Sequence, residues 1–339
     1  MKKYINSGRA GSLFATLLFC LVSLGSAQAQ EASADDAIEV VREGIAHDAL
    51  YAIEISGESG FAVGAFGLML ETADGGNSWT LVEPKTQLSL LGIARGGDKH
   101  VVVGQQGVVL TRAGGGDWEA TDSGLTQRLL NVGMNSSGMA VAVGEFGFAA
   151  VSMDAGHTWK PIVVDWEQYN EEGYEPHLYD ATVAEDGTLM IAGEFGLILR
   201  STDGGATLEK AAEGDESIFD IDIARDGSNT GYAVGQEGLV LKTLDAGVTW
   251  QRVDADTKAN LLGVWSGNGE VVISGIREML RSSDDGGSFS KTVDIKIGRT
   301  WYQGIAAGVS ETQSGAKGFL REQSVYVVGH RATIARVVK

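Results

Sequence analysis

Short apolar runs, separated by Gly-rich polar turns, recur along most of the chain. The clearest copy is residues 64–79, GAFGLMLETADGGNSW. The apolar run Phe61-Ala62-Val63 leads into a Gly-x-x-Gly turn at Gly64. Leu68 to Thr72 then alternates with a period of two, which places successive side chains on opposite faces of a strand. A polar turn, Thr72-Ala73-Asp74-Gly75-Gly76-Asn77-Ser78, ends at Trp79. Its carboxylate and hydroxyls suit acceptance of turn N–H groups, and glycine supplies the positive φ of a tight corner.

The unit repeats at Gly144, Gly193 and Gly235. It is one residue shorter at Gly104, where Ala113 stands in place of the Asp, and at Gly275, where the first turn has lost its second glycine. A seventh start, Gly329, runs out at Lys339. The opening glycines lie 40, 40, 49, 42, 40 and 54 residues apart. A period near 40 residues, built of short strands and Gly-rich turns, predicts a propeller. Each full repeat offers four strands, the first at residues 50–55, 61–63, 68–72 and 79–82. The last offers three, at residues 301–307, 325–328 and 333–338. The alternating residues 37–42 (AIEVVR) are the spare strand. The expected fold is therefore all-β, a seven-bladed propeller closed by an N-terminal strand that completes the last blade. Residues 165–179 and 310–323 interrupt the period as insertions.

The N-terminus reads as an export signal. Lys2, Lys3 and Arg9 precede the apolar residues 13–24, and Ala27-Gln28-Ala29 is a small-x-small cleavage site. About twelve apolar residues are too few to span a bilayer well. An uncleaved anchor is the alternative, and bulky Leu17, Leu18 and Phe19 argue against a lipoprotein site at Cys20. The expected organisation is a signal peptide at residues 1–29, a mobile leader at 30–36 and one propeller domain at 37–339. The product would be exported to the periplasm and monomeric, without inserting in the membrane.

Composition narrows the chemistry. Cys20 is the only cysteine, so cleavage removes every thiol. Three basic residues leave with the signal and no acidic ones, which takes the formal net charge from −19 to −22. That charge opposes nucleic acid and anionic membranes and favours a basic partner. The five histidines show no metal-ligand spacing, and there is no nucleophile elbow or phosphate-binding loop, so neither a metal nor a cofactor is expected.

The acidic turns tempt a catalytic reading. Yet Asp74, Asp154, Asp203, Asp245 and Asp284 occupy the same corner of different repeats and cannot converge on one substrate. They are expected to brace their turns by supplying acceptors to buried donors, with Trp79, Trp159, Trp250 and Phe289 packing behind them. The Gly-x-x-Gly turns carry more functional promise. They join the second and third strands, on the face where blade-to-blade connections emerge. Candidate binding residues there are Phe66, Glu145, Phe146, Glu194, Phe195, Glu237, Arg277 and Arg331. The insertion adds Trp166, Tyr169, Tyr174 and Tyr179. Aromatics with interspersed carboxylates suit a protein partner. Two structural alternatives stand beside this reading. The phenylalanines could plug the channel or pack between blades, and the insertion could be a lid over the channel mouth.

The repeated G-x-x-G-x-(I/L)-x-x-T-x-D-G-G-x-T-W pattern resembles bacterial neuraminidase (BNR) repeats, whose acidic turn is the Asp box. It is most similar to the seven-bladed photosystem II stability/assembly factor family. The resemblance implies a non-catalytic scaffold or assembly factor for a membrane complex. In a phototroph that role is in photosynthesis and the compartment is the thylakoid lumen; elsewhere a membrane exporter is a candidate partner. Sialidases share Asp boxes, so a glycoside hydrolase or a glycan-binding propeller is the rival. Their Phe/Tyr-Arg-Ile-Pro motif is absent here.

Overall fold

The computed structural model describes residues 37–169, 173–313 and 319–338. The proposed signal and leader lie outside them. The strands form seven four-stranded antiparallel sheets. Blade 1 is Leu50–Ser56, Ser59–Gly64, Met69–Thr72 and Thr80–Leu81, and blades 2 to 6 repeat that order. Blade 7 consists of Tyr302–Gln313, Phe319–Gly329 and Ile334–Val337, and its fourth strand is Ile38–Arg42 from the other end of the chain. Ile38 pairs with Val337, Glu39 with Arg336 and Val40 with Ala335. The expected closure is therefore present.

Burial follows position within the blade. Second strands such as Ala140–Gly144 and Leu189–Gly193 are buried throughout. Both faces of these strands meet a neighbouring blade, which is why they read as continuous apolar runs rather than alternating ones. Outermost strands such as Thr80–Leu81 and Gln251–Arg252 are exposed and short, which limits edge pairing with other chains. The core is divided among the blade interfaces. Val141 and Val143 of blade 3 meet Leu189 and Ile191 of blade 4. Leu50 and Leu70 of blade 1 meet Tyr326 and Ile334 of blade 7, which closes the ring.

The Asp boxes brace their own turns, and one part of the expectation is corrected. Ser78 N–H and its hydroxyl donate to the two Asp74 carboxylate oxygens at 2.8 and 2.6 Å. The same bonds recur at Asp154, Asp203, Asp245 and Asp284. These bonds to the charged form hold Asp203, Asp245 and Asp284 at a pKa of about 2. The Asp carboxylates themselves are exposed. The buried donor in the turn is the Gly156 N–H, and its acceptor is the Ser152 hydroxyl at 2.9 Å, not Asp154. Thr72, Ser201, Thr243 and Ser282 play that part in the other boxes. Behind the turns, Trp79, Trp159, Trp250 and Phe289 are partly buried against the interface clusters.

The last insertion differs from its expected form. Residues 310–323 extend the first two strands of blade 7 into a long hairpin, with pairing from Tyr302–Gly329 out to Gln313–Phe319. Residues 314–318 lie outside the described residues. The hairpin packs across the box of blade 1, where Val309 N–H donates to Gly75 O (3.1 Å) and Asn77 Nδ2 donates to Val309 O (2.9 Å). Antiparallel pairing needs no new turn to lengthen, so an insertion at a hairpin tip can add ladder instead of loop.

Candidate functional site: an aromatic face on the Gly-x-x-Gly side

The Gly-x-x-Gly turns and the blade-to-blade connections do share one face. A Cβ on Gly67 would meet Thr86 O at 2.0 Å, and one on Gly238 would meet Thr257 O at 2.1 Å. These second glycines also have positive φ, so both conformation and close approach demand glycine. The third residue of each turn, which precedes the second glycine in blades 1 to 5 and stands before Glu278 and Ala332 in blades 6 and 7, projects outward. Phe66, Gln106, Phe146, Phe195, Glu237, Arg277 and Arg331 all have φ between 52° and 61°. All seven are exposed, Phe66 at 66%, Phe146 at 67% and Phe195 at 47%. The phenylalanines therefore neither plug the channel nor pack between blades. A left-handed non-glycine residue costs about 1–2 kcal/mol. The cost recurs in every blade, so it belongs to the turn geometry rather than to one special residue.

The turns stand one strand out from the axis. Closer in, each inner strand begins with a β-bulge that leaves one residue unpaired in the ladder: Tyr51, Leu91, Leu130, Tyr179, Phe219, Leu262 and Gln303. On blades 3 to 5 these join the turn residues in one aromatic arc. The Phe146 ring meets His177 edge-on at 5.0 Å. His177 lies 6.4 Å from Tyr179, and Tyr179 meets Phe219 at 5.2 Å. Glu194 is the hub of the arc. It accepts the His177 N–H at 2.8 Å and the Tyr179 hydroxyl at 3.3 Å, and it lies 3.6 Å from His177 Nδ1. Burial, and then the Glu194 charge, push the Tyr179 hydroxyl up to about 12, so it stays a donor at any physiological pH. Beside the arc, Glu145 pairs with Arg128 at 3.2 Å. Across the ring, Tyr51 stacks on Trp301 and Arg331 pairs with Glu43.

The insertion splits into two roles. Trp166 is 8% exposed and packs into the interface of blades 3 and 4, with its ring over Gly147. Tyr169 is half-buried against Trp166 and donates to Leu208 O at 2.9 Å. Both side chains anchor the loop; Trp166 is closed to a partner, contrary to the expectation, while Tyr169 keeps part of its ring at the surface. Tyr174 is 59% exposed, and residues 170–172 lie outside the described residues. Tyr179 belongs to the inner strand Leu178–Val183, not to the loop. The sequence reading missed His177, Phe219, Tyr51 and Trp301. A usable signal was the residue that follows the first apolar position of each inner strand.

Known proteins place this architecture. The model of a family described as "Photosynthesis system II assembly factor YCF48" matches residues 28–167 and 162–264. The chain belongs to this family. It is 27% identical over 212 residues to the photosystem II assembly lipoprotein Ycf48 of Synechococcus sp. (strain CC9902), covering 60% of this chain and 61% of that one. It is 24% identical over 233 residues to the photosystem II stability/assembly factor HCF136 of Arabidopsis thaliana, covering 62% and 58%. The chain thus spans about three fifths of the length of the curated relatives it matches. Among solved structures, YCF48 bound to a D1 peptide matches at TM-score 0.66 and 17% identity, over 90% of this chain and 97% of that one. YCF48 from Cyanidioschyzon merolae matches at 0.65 and 20%, over 89% and 98%. The WD40 propeller of Doa1 reaches 0.63 at 10% identity, so these likenesses establish the fold alone.

Behind the arc, this member of the YCF48 family carries buried carboxyls on the inner strands of blades 4 and 5 that link blades 3 to 6. Asn131 Nδ2 donates to Asp180 Oδ1 (2.5 Å), and Ile221 N–H donates to Asp180 Oδ2 (2.8 Å). Val264 N–H donates to Asp220 (2.7 Å) and Ser266 N–H to Asp222 (2.6 Å). The inner edges of blades 5 and 6 thus find acceptors on the preceding blade. The Asp180 charge bears on Asp220 across the interface of blades 4 and 5. Burial pushes Asp180 up to about 6, while burial and the Asp180 charge raise Asp220. Burial raises Asp222 as well. A carboxyl raised above its unfolded value of 3.8 binds more protons in the native state between the two values. Its contribution is therefore complete below 3.8 and is lost as pH rises from there through about 6. The box carboxylates act in the opposite sense and lose their contribution as pH falls from 3.8 towards about 2. We expect the melting temperature to peak at mildly acidic pH and to fall towards pH 8. Asp220→Asn, which keeps both an acceptor and a donor, should flatten that fall. A melting temperature that climbs steadily to pH 8 would refute the raised carboxyls.

Proposed function

We propose that this chain is an exported, non-catalytic scaffold that assists assembly of a membrane complex by holding a protein segment on its Gly-x-x-Gly face over blades 3 to 5. The observation that carries the reading is the arc Phe146–His177–Tyr179–Phe219 tied to Glu194, with exposed Phe195 next to Glu194 in the blade 4 turn and exposed Phe66 farther round the same face on blade 1. Aromatic groups held rigidly beside satisfied carboxylates are the kind that dominate protein interfaces. The relatives named above are assembly factors, and one YCF48 structure holds a D1 peptide. That membership favours a protein partner over the sialidase or glycan-binding alternative. A formal net charge of −19 favours a basic partner segment and disfavours nucleic acid. No helix among the described residues is long and apolar enough to cross a membrane. The proposed compartment is the periplasm, or the thylakoid lumen with a photosystem II role in a phototroph. The proposed working form is a monomer without cofactor.

The test is affinity capture of the tagged chain from its own membranes in mild detergent, at two salt concentrations. One membrane complex should be recovered, less of it at higher salt. Phe146→Ala and Phe66→Ala, both surface truncations, should keep the wild-type melting temperature. Phe146→Ala should lose most of the capture and Phe66→Ala less. Undiminished capture by Phe146→Ala would place the interface elsewhere, and recovery of oligosaccharide alone would move the reading to a glycan.

A further inference from the structure

A slot of about 260 Å³ opens on the same face, between the insertion and the connection from blade 4 to blade 5. It is lined by Tyr169, Pro176, Phe195 and Leu197, together with Glu213, Gly214 and Asp215. The walls are preset. Tyr169 is held by its bond to Leu208 O, Leu197 is 5% exposed, and Gly214 N–H donates to Phe195 O at 2.8 Å. The Phe195 ring is half open to solvent. The slot therefore combines an apolar, partly aromatic lining with two carboxylates. Both carboxylates are exposed, and Glu213 pairs with its own neighbour Lys210 at 2.5 Å. Asp215 has no ion-pair partner among the described residues.

We infer that this slot is a side-chain subsite for a lysine or arginine of an extended segment. The alkyl stem would lie along Tyr169, Pro176 and Phe195, and the cationic head would sit between Glu213 and Asp215, displacing Lys210 from Glu213. A long basic side chain has this amphipathic make-up, with a CH₂ stem that packs on apolar surface and a head that keeps polar contacts. The open face of Phe195 adds an attraction for a cation. A neutral apolar side chain would fill the slot and leave the carboxylates unused, and an anion would be repelled by both. The slot lies one turn along from the arc, with Glu194 and Phe195 adjacent in one Gly-x-x-Gly turn. A segment crossing the arc thus passes its mouth. The assignment of the cation to a partner rests on the docking reading above; the slot's chemistry does not.

The experiment separates the two. The probes are N-acetyl-arginine methylamide, the lysine analogue and the citrulline analogue, which is the neutral isostere of arginine. They are titrated into ¹⁵N-labelled protein, and the amide shifts of Glu213, Gly214 and Asp215 are followed. Arginine and lysine should move these amides, and citrulline should bind at least about tenfold more weakly, the loss set by one charge-assisted contact. The pair Glu213→Gln and Asp215→Asn should lower arginine binding by a similar factor without altering the melting temperature. Gly214→Leu provides a second route. Gly214 is not in the left-handed region, and a Cβ there meets nothing nearer than 3.9 Å, so the added side chain can enter the slot without strain. It should abolish the shifts. Citrulline binding as well as arginine, or arginine shifts that persist in both variants, would overturn the subsite. If arginine binds the slot but Phe146→Ala captures its partner undiminished, the subsite stands and the docking reading falls.

Discussion

Removing residues 37–44 should lower the melting temperature by about 10 °C or more. The residues lost include the whole outer strand of blade 7, Ile38–Arg42. Ile38 is fully buried among Val325, Val327, Ala335 and Val337. Its side chain alone contributes roughly 1.5–3 kcal/mol. The ladder with Ile334–Val337 adds about 0.5–1.5 kcal/mol for each hydrogen bond. The ties Gly44 N–H to Arg331 O and Val338 N–H to Ala37 O go as well. A total near 5 kcal/mol corresponds to about 2–4 °C for each kcal/mol in a large domain. The deletion also bares the edge of Ile334–Val337, so aggregation on heating should rise. Ile38→Ala isolates the packing part and should cost about 2–5 kcal/mol in denaturant melts. An unchanged melting temperature in the deletion would mean that the strand is an ornament and that the ring closes without it.

Trp166→Ala should cost about 3–5 kcal/mol, the range for truncating a large buried aromatic. Trp166 joins Val143, Leu178 and Leu197 at the interface of blades 3 and 4, beneath the functional face. Its loss opens a cavity under Gly147 and releases the edge-on contact with Tyr169. Tyr169 also lines the proposed basic subsite, so loosening the loop should weaken arginine binding there. Replacing residues 166–178 by a Gly/Ser turn would therefore destabilise the fold and confuse folding with docking. Phe146→Ala avoids that ambiguity because its ring is two-thirds exposed. Chemical denaturation of Trp166→Ala, set beside Trp166→Phe, measures the cost. A full-strength melt combined with lost capture would show the tryptophan to be an interface residue after all.

Repetition made the fold legible. A turn such as Thr72–Ser78 is specified by local chemistry, and seven opening glycines, six of them followed by a full or partial copy of it, fix the blade count. The spare strand followed from counting strands in the last repeat, and Ile38 does pair with Val337. Which face carries the Gly-x-x-Gly turns also followed, because antiparallel connectivity alternates turns between the two ends of a blade.

Exposure was not legible, because it depends on residues far away in sequence. Trp166 and Phe146 are both aromatics at or near a turn, and their order in the chain does not tell them apart. Trp166 is buried because Gly147, nineteen residues earlier, leaves room for its ring. Phe146 points outward because its own φ of 55° turns the side chain away from the sheet. The buried Asp180–Asp220 pair could not be read either, since it needs inner strands of two blades side by side. The same holds for the arc, where His177 precedes one inner strand and Phe219 lies in the next. Turn chemistry, strand period, blade number and closure are local or repeated properties, and the residue order carries them. Which side chains meet across blades is set by the ring, because those contacts join residues about 40 positions apart that the chain alone does not bring together.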